Sequence, residues 1–164
     1  MGYGYDYKCR KCGHHYDVYI GGGFSLPSVY REMVDAISDG VYGDEWRDVY
    51  NSTEYAAVNA DKHVFICDSC KKWEVGRDLT IYAPNDPEII RHMTFGDKTV
   101  EEWGYVPYVM AGELRVYYHV LKRHYSKCKT CGRRMHKATQ EELGNLPCPE
   151  CGEANSYTET IMWD

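Results

Sequence analysis

The residues best suited to chemistry are eight cysteines, which fall into four Cys-x-x-Cys pairs: Cys9/Cys12, Cys67/Cys70, Cys128/Cys131 and Cys148/Cys151. A tetrahedral metal takes four ligands, so two pairs make one complete thiolate set and four pairs make two. The spacing lets one tight turn aim two sulfurs at one ion, while backbone amides offset the thiolate charge. Glycine follows the second cysteine in three of the turns, at Gly13, Gly132 and Gly152. There it can reach positive φ without a Cβ penalty. Lys71 takes that place in the second turn, where positive φ would cost about 1 kcal/mol, so this turn is expected to be the less regular one. The expected cofactors are two Zn2+ ions, with iron as the alternative.

The pairing of the turns follows from loop length. Cys131 and Cys148 are separated by 16 residues, inside the usual window for two Cys-x-x-Cys turns on one zinc. Cys128, Cys131, Cys148 and Cys151 are therefore expected to form one site. Cys9, Cys12, Cys67 and Cys70 form the other, because each site then closes the shorter available loop. The rival is an interleaved arrangement, with Cys9/Cys12 joining Cys128/Cys131 and Cys67/Cys70 joining Cys148/Cys151. Four thiolates leave no open coordination position, which argues against metal-centred catalysis, and no enzyme is expected. His63 and His124 each lie four residues before a cysteine pair, but no thiolate is missing for them to replace. Pro147-Cys148 through Cys151 matches half of the deaminase signature, yet no His-x-Glu occurs in the chain.

The segment Tyr7-Lys8-Cys9-Arg10-Lys11-Cys12-Gly13-His14-His15-Tyr16-Asp17 resembles the first knuckle of rubredoxins and the N-terminal ribbon of FmdB-type regulatory proteins. Leu146-Pro147-Cys148-Pro149-Glu150-Cys151-Gly152 is similar to a second rubredoxin-type knuckle. The resemblance is confined to the knuckles. It implies a rubredoxin-like or zinc-ribbon metal fold and carries no function, since ribbons serve many.

The elements that must position these turns read as α+β and β-rich: two four-cysteine zinc-ribbon sites with rubredoxin-like knuckles, the first holding a helical insertion. Tyr3, Tyr5 and Tyr7 alternate into Cys9, and Tyr16, Val18 and Ile20 alternate out, as in a hairpin with the metal turn at its tip. Tyr30, Met33, Val34 and Ile37 share one face of a helix expected over residues 25–40. A shorter helix is expected over 44–50 and loop over 51–61. Strands are expected over 63–67, 73–75, 79–82 and 105–110. Residues 114–127 fit both periods, and the β-branched and aromatic content favours a long strand. Thr139 and Glu142 suggest a capped helical turn, and residues 156–163 a final strand. The Ala83-Pro84-Asn85-Asp86-Pro87 run is the strongest punctuation. The expected division is therefore an N-terminal domain over 1–83 with an insertion at about 25–61, a linker over 84–104, and a C-terminal ribbon over 105–164.

No charged n-region precedes an apolar stretch at the start. No apolar run reaches the roughly 18–20 residues that span a bilayer. A cytoplasmic protein without membrane association is expected, in a reducing setting that favours thiolate–metal bonding over disulfides. The net charge of −6 is uneven: residues 113–138 hold eight basic residues against one acidic residue, Glu113. These are Arg115, Lys122, Arg123, Lys127, Lys129, Arg133, Arg134 and Lys137, interleaved with Tyr117, Tyr118 and Tyr125. The mixture suits phosphate contact and base stacking; a solvated face paired with acidic flanks is the plainer reading. The expected function is an interaction or adaptor module for a protein partner, with both metals structural. The alternatives are nucleic-acid binding through residues 115–137 and electron transfer by iron.

Overall fold

The computed structural model describes residues 2–23 and 26–163. The chain is mixed α+β and strand-rich, and it forms two compact units that are interleaved in sequence. The first unit gathers Met1–Phe24, Asp61–Asp78 and Tyr125–Asp164; the second gathers Ser25–Ala60 and Leu79–His124. The division expected at 83/84 and 104/105 is therefore corrected. Strand β3 (Ala57–Ile66) and strand β4 (Trp73–Pro84) each run through a unit boundary. The chain thus leaves the first unit twice, and both excursions contribute to one apolar core.

In the first unit, β1 (Gly2–Lys8) and β2 (His15–Gly21) form the expected hairpin, in register from Gly2↔Gly21 to Lys8↔His15. The final strand β11 (Tyr157–Trp163) pairs antiparallel with β1, and the short β8 (His136–Lys137) pairs with β3. Side chains alternate across a strand, so Tyr5, Tyr7 and Val18 share the buried face. They pack with Val64, Ile66, Leu143 and Leu146. Leu143 belongs to α6 (Gln140–Leu143), whose expected capping box is present between Thr139 and Glu142.

The second unit is built on α1 (Leu26–Ser38), which buries Leu26, Tyr30, Met33, Val34 and Ile37 on one face; Ser25, expected to open this helix, lies outside the described residues. Helix α2 (Asp44–Asn51) follows. Residues 57–61, expected as loop, are already strand β3. The expected linker is structured. Asp86 caps α3 (Pro87–Arg91) by accepting from the Glu88 amide at 3.0 Å, with Pro87 in the first turn where its missing N–H costs nothing. Strands β5 (Thr94–Phe95) and β6 (Lys98–Thr99) lead to α4 (Val100–Trp103), capped by Thr99 and Glu102. Ile90, Phe95 and Val100 are buried in the unit's core, which is why this stretch is no spacer.

The ambiguous stretch splits between its two readings. Residues 111–117 form helix α5 (Ala111–Tyr117), whose Glu113 carboxylate accepts from the Met110 amide at 2.7 Å. Tyr118–Lys122 form β7, paired with β4. Leu114 and Tyr118 both reach the core. Residues 105–110, expected as strand, have no regular structure.

Candidate metal centres

Each Cys-x-x-Cys turn is a hairpin tip with the same pair of backbone hydrogen bonds. The first cysteine's amide donates to a carbonyl five residues on: Cys9 to His14 (2.8 Å), Cys67 to Lys72 (2.9 Å), Cys128 to Arg133 (2.9 Å) and Cys148 to Glu153 (2.7 Å). The residue after the second cysteine donates back to the first: Gly13, Lys71, Gly132 and Gly152, at 2.8–2.9 Å. All four adopt positive φ, 75°, 55°, 69° and 74° in that order. The Lys71 turn is thus as regular as the others, and a lysine tolerates the left-handed backbone there.

The turns do not pair as expected. Cys9, Cys12, Cys148 and Cys151 converge, and so do Cys67, Cys70, Cys128 and Cys131. Both the sequential and the interleaved arrangements are corrected to a nested one, with the terminal turns enclosing the inner two. Strand pairing is the reason. Turn four lies between β9 (Leu146–Pro147) and β10 (Ala154–Asn155), just ahead of β11, and β11 pairs with β1, which leads into turn one. Turn three precedes β8, and β8 pairs with the end of β3 through Ile66↔His136, just before turn two. Loop closure opposes this only weakly, at about 0.6 kcal/mol per doubling of loop length.

Within the terminal cluster Cys9 Sγ lies 3.5 Å from Cys151 Sγ, and Cys12 Sγ 3.7 Å from Cys148 Sγ. In the inner cluster the separations are 3.5 Å for Cys67–Cys131, 3.4 Å for Cys70–Cys128 and 3.9 Å for Cys70–Cys131. A disulfide needs about 2.05 Å. A tetrahedral ion with metal–sulfur bonds of about 2.3 Å separates its sulfurs by about 3.8 Å. Both groups therefore have the dimensions to hold a metal ion.

The turns also prepare the thiolates. Backbone amides, led by that of Cys12, draw Cys9 down to about 6 against the opposing effect of burial. The amides of Cys131 and Thr130 draw Cys128 down to about 6. Cys67 is lowered in the same way, first by the Cys70 amide. At Cys12 the His14 amide pulls down, but the bond to the Cys9 sulfur, burial and the sulfurs of Cys151 and Cys148 outweigh it and push the thiol up to about 12. Crowded sulfurs that oppose one another's ionisation are what a cation at the centre relieves.

Several residues support the turns in ways not read from sequence. Asn155 is buried, accepts from the Arg10 amide at 3.1 Å and donates to the Glu153 carbonyl at 2.8 Å, which ties turn one to turn four. Tyr16 donates to the Leu146 carbonyl and Trp73 to the Pro147 carbonyl, holding the β9 edge. At the inner cluster Arg133 donates to Ser69 Oγ at 2.6 Å, and Phe65 and Met135 pack beside Cys67 and Cys128. Only the asparagine three residues past a knuckle glycine could have hinted at such a role.

The basic segment is divided between the units at 124/125. Arg115, Lys122 and Arg123 belong to the second unit, where Lys122 pairs with Glu45 and lies over the Trp46 ring. Tyr117 is exposed there, whereas Tyr118 is buried in the core and cannot stack on a base. In the first unit Lys137 pairs with the buried Asp78 at 2.8 Å, and Lys129 with Glu74 at 2.9 Å. Arg134 stacks on the exposed Tyr125, 4.1 Å from the ring centre. Lys127 lies opposite Arg134 in the hairpin carrying turn three. Lys71 and Lys72, on turn two, add two exposed cations beside the same cluster.

No family model, no curated protein and no solved structure matches the chain. Among the described residues no helix is long and apolar enough to cross a membrane.

Proposed function

We propose that the chain is a two-zinc interaction module of the zinc-ribbon kind, working in a reducing compartment, with both ions structural. The observation that carries this reading is the match between the sulfur separations and the edge of a metal–thiolate tetrahedron. Four thiolates fill each coordination sphere, so the ions act as clasps and no catalysis is assigned to them. Each clasp joins hairpin tips from distant segments. Function then resides in the surfaces so organised, and a protein partner is the reading that needs least beyond them.

Elemental analysis should find two zinc ions per chain, and a red, iron-loaded protein would instead support electron transfer. Paired substitutions test the clasps. Cys9→Ser with Cys148→Ser removes ligands from one nested site and should leave one ion bound. Loss of both ions would restore the sequential or interleaved pairing. Cys9→Ser with Cys128→Ser should lose both.

Nucleic acid is a second reading, favoured by the exposed cations about the inner cluster: Lys71, Lys72, Lys127, Lys129, Arg133 and Arg134. A zinc tetrathiolate carries a net charge of −2, which offsets part of this charge. A gel shift that weakens with salt and with Arg133→Ala plus Arg134→Ala would support the reading. No shift at low salt on single- or double-stranded DNA or RNA would remove it.

A further inference from the structure

The second unit contains no cysteine, but it has a cavity of its own. It measures about 300 Å³, and its lining includes Tyr50, Thr53, Glu54, Tyr55, Gly104 and Tyr105; this is the lower end of the range for small-ligand sites. Three of its walls are tyrosines. Glu54 is the one acidic residue in the lining, and its side chain has no ion pair or hydrogen bond among the described residues.

The walls are fixed before any ligand arrives. Tyr55 has φ 51°, a left-handed conformation that a bulky side chain rarely adopts. Such strain persists where the surroundings over-determine it, and it concentrates at binding sites. Thr53 Oγ1 donates to the Val49 carbonyl at 2.7 Å, and the Ala56 amide donates to the Thr53 carbonyl at 3.3 Å, anchoring the turn around Tyr55. Gly104 ends α4 at φ 73°, and both it and the next residue, Tyr105, line the cavity.

The charges around the cavity favour a cation. Arg31 lies 4.5 Å from the Tyr105 ring centre, so one face of this ring already carries a cation. The charge of Arg31 is met by Asp35 at 2.8 Å. Arg91, the other nearby guanidinium, is met by Glu88 and Glu101. Glu54 is left as the uncompensated charge. Tyrosines and one carboxylate lining a small space suit a bulky, weakly hydrated cation better than a hard metal ion, for which a single carboxylate is too few ligands.

We propose that the cavity formed by Tyr50, Glu54, Tyr55 and Tyr105 binds a methylated ammonium group. This goes beyond the metal-clasp reading and does not depend on it. The test is an NMR titration of the full, metal-loaded chain with choline and with its uncharged isostere 3,3-dimethylbutan-1-ol. Choline should give saturable shifts at Tyr55 and Tyr105, with at least fivefold tighter binding than the isostere. Glu54→Gln, an exposed change that spares the fold, should weaken choline about fivefold and leave the isostere unchanged. Tyr55→Asn keeps a residue that tolerates the left-handed backbone and should abolish saturation. Equal binding of the two probes, no saturable shift at these tyrosines, or an unchanged Glu54→Gln affinity would each overturn the proposal.

Discussion

Two units of similar length solve the same stability problem by different means. The second unit buries α1 against Val58, Ile81, Ile90, Val100, Leu114 and Tyr118 in one continuous apolar core. The first unit has two smaller clusters, one around Tyr7, Val18 and Leu146 and one around Phe65 and Met135, and adds the two cysteine groups. A small unit assembled from three chain segments cannot rely on one large core. Metal ligation can supply on the order of 10–16 kcal/mol of apparent binding that is also folding energy. The difference teaches where a chain can make use of metal: at hairpin tips whose apolar clusters are small.

The largest effect should come from removing the metal. Strong chelation is expected to abolish hydrogen-exchange protection in β1, β2 and β11 while amides of α1 keep part of theirs. Uniform retention of protection after verified metal removal would break the comparison. The mirror experiment is Ile37→Ala, at a side chain with no exposed surface. It should destabilise the second unit by about 2–5 kcal/mol and leave metal content at two ions per chain.

A smaller effect concerns acid. His63, in the first unit, is held down to about 4 by burial and then by Lys137, with Asp78 opposing. An unfolded histidine titrates near 6.5. Between these values the unfolded chain binds a proton that the folded chain refuses, so stability falls as pH drops from about 6.5 toward 4. Denaturant midpoints of His63→Gln, measured against the parent with both metal-loaded, should fall less steeply across that window. Parallel profiles would remove His63 as a cause. The smallest effect is a gain: Lys71→Gly relieves the positive φ in turn two and should stabilise the first unit by about 0.5–1 kcal/mol. No gain would mean that Lys71 makes up for its strain elsewhere.

Local chemistry was legible in the chain. The metal-binding potential of the eight cysteines, the β1–β2 hairpin with its tip at Cys9, the apolar face of α1 and the Thr139–Glu142 cap each depend on residues a few positions apart, so spacing alone reveals them. Residues 114–127 were legible only in part, because Leu114 and Tyr118 satisfy a helical and a strand period at once. Asn155 and Trp73 were invisible, because their partners at Arg10 and Pro147 lie far away in the chain.

The sequence by itself determined the candidate ligands, their grouping in turns and the number of four-cysteine sets. The tertiary structure decided which turns share a set. Loop length favours neighbours, but its cost grows only logarithmically, whereas pairing β11 with β1 and β8 with β3 brings distant turns together as a consequence of forming the sheet. The same folding decided that residues 84–104 belong to a core and that the basic segment is shared between two units, since burial is a property of what the chain packs against and not of the segment alone.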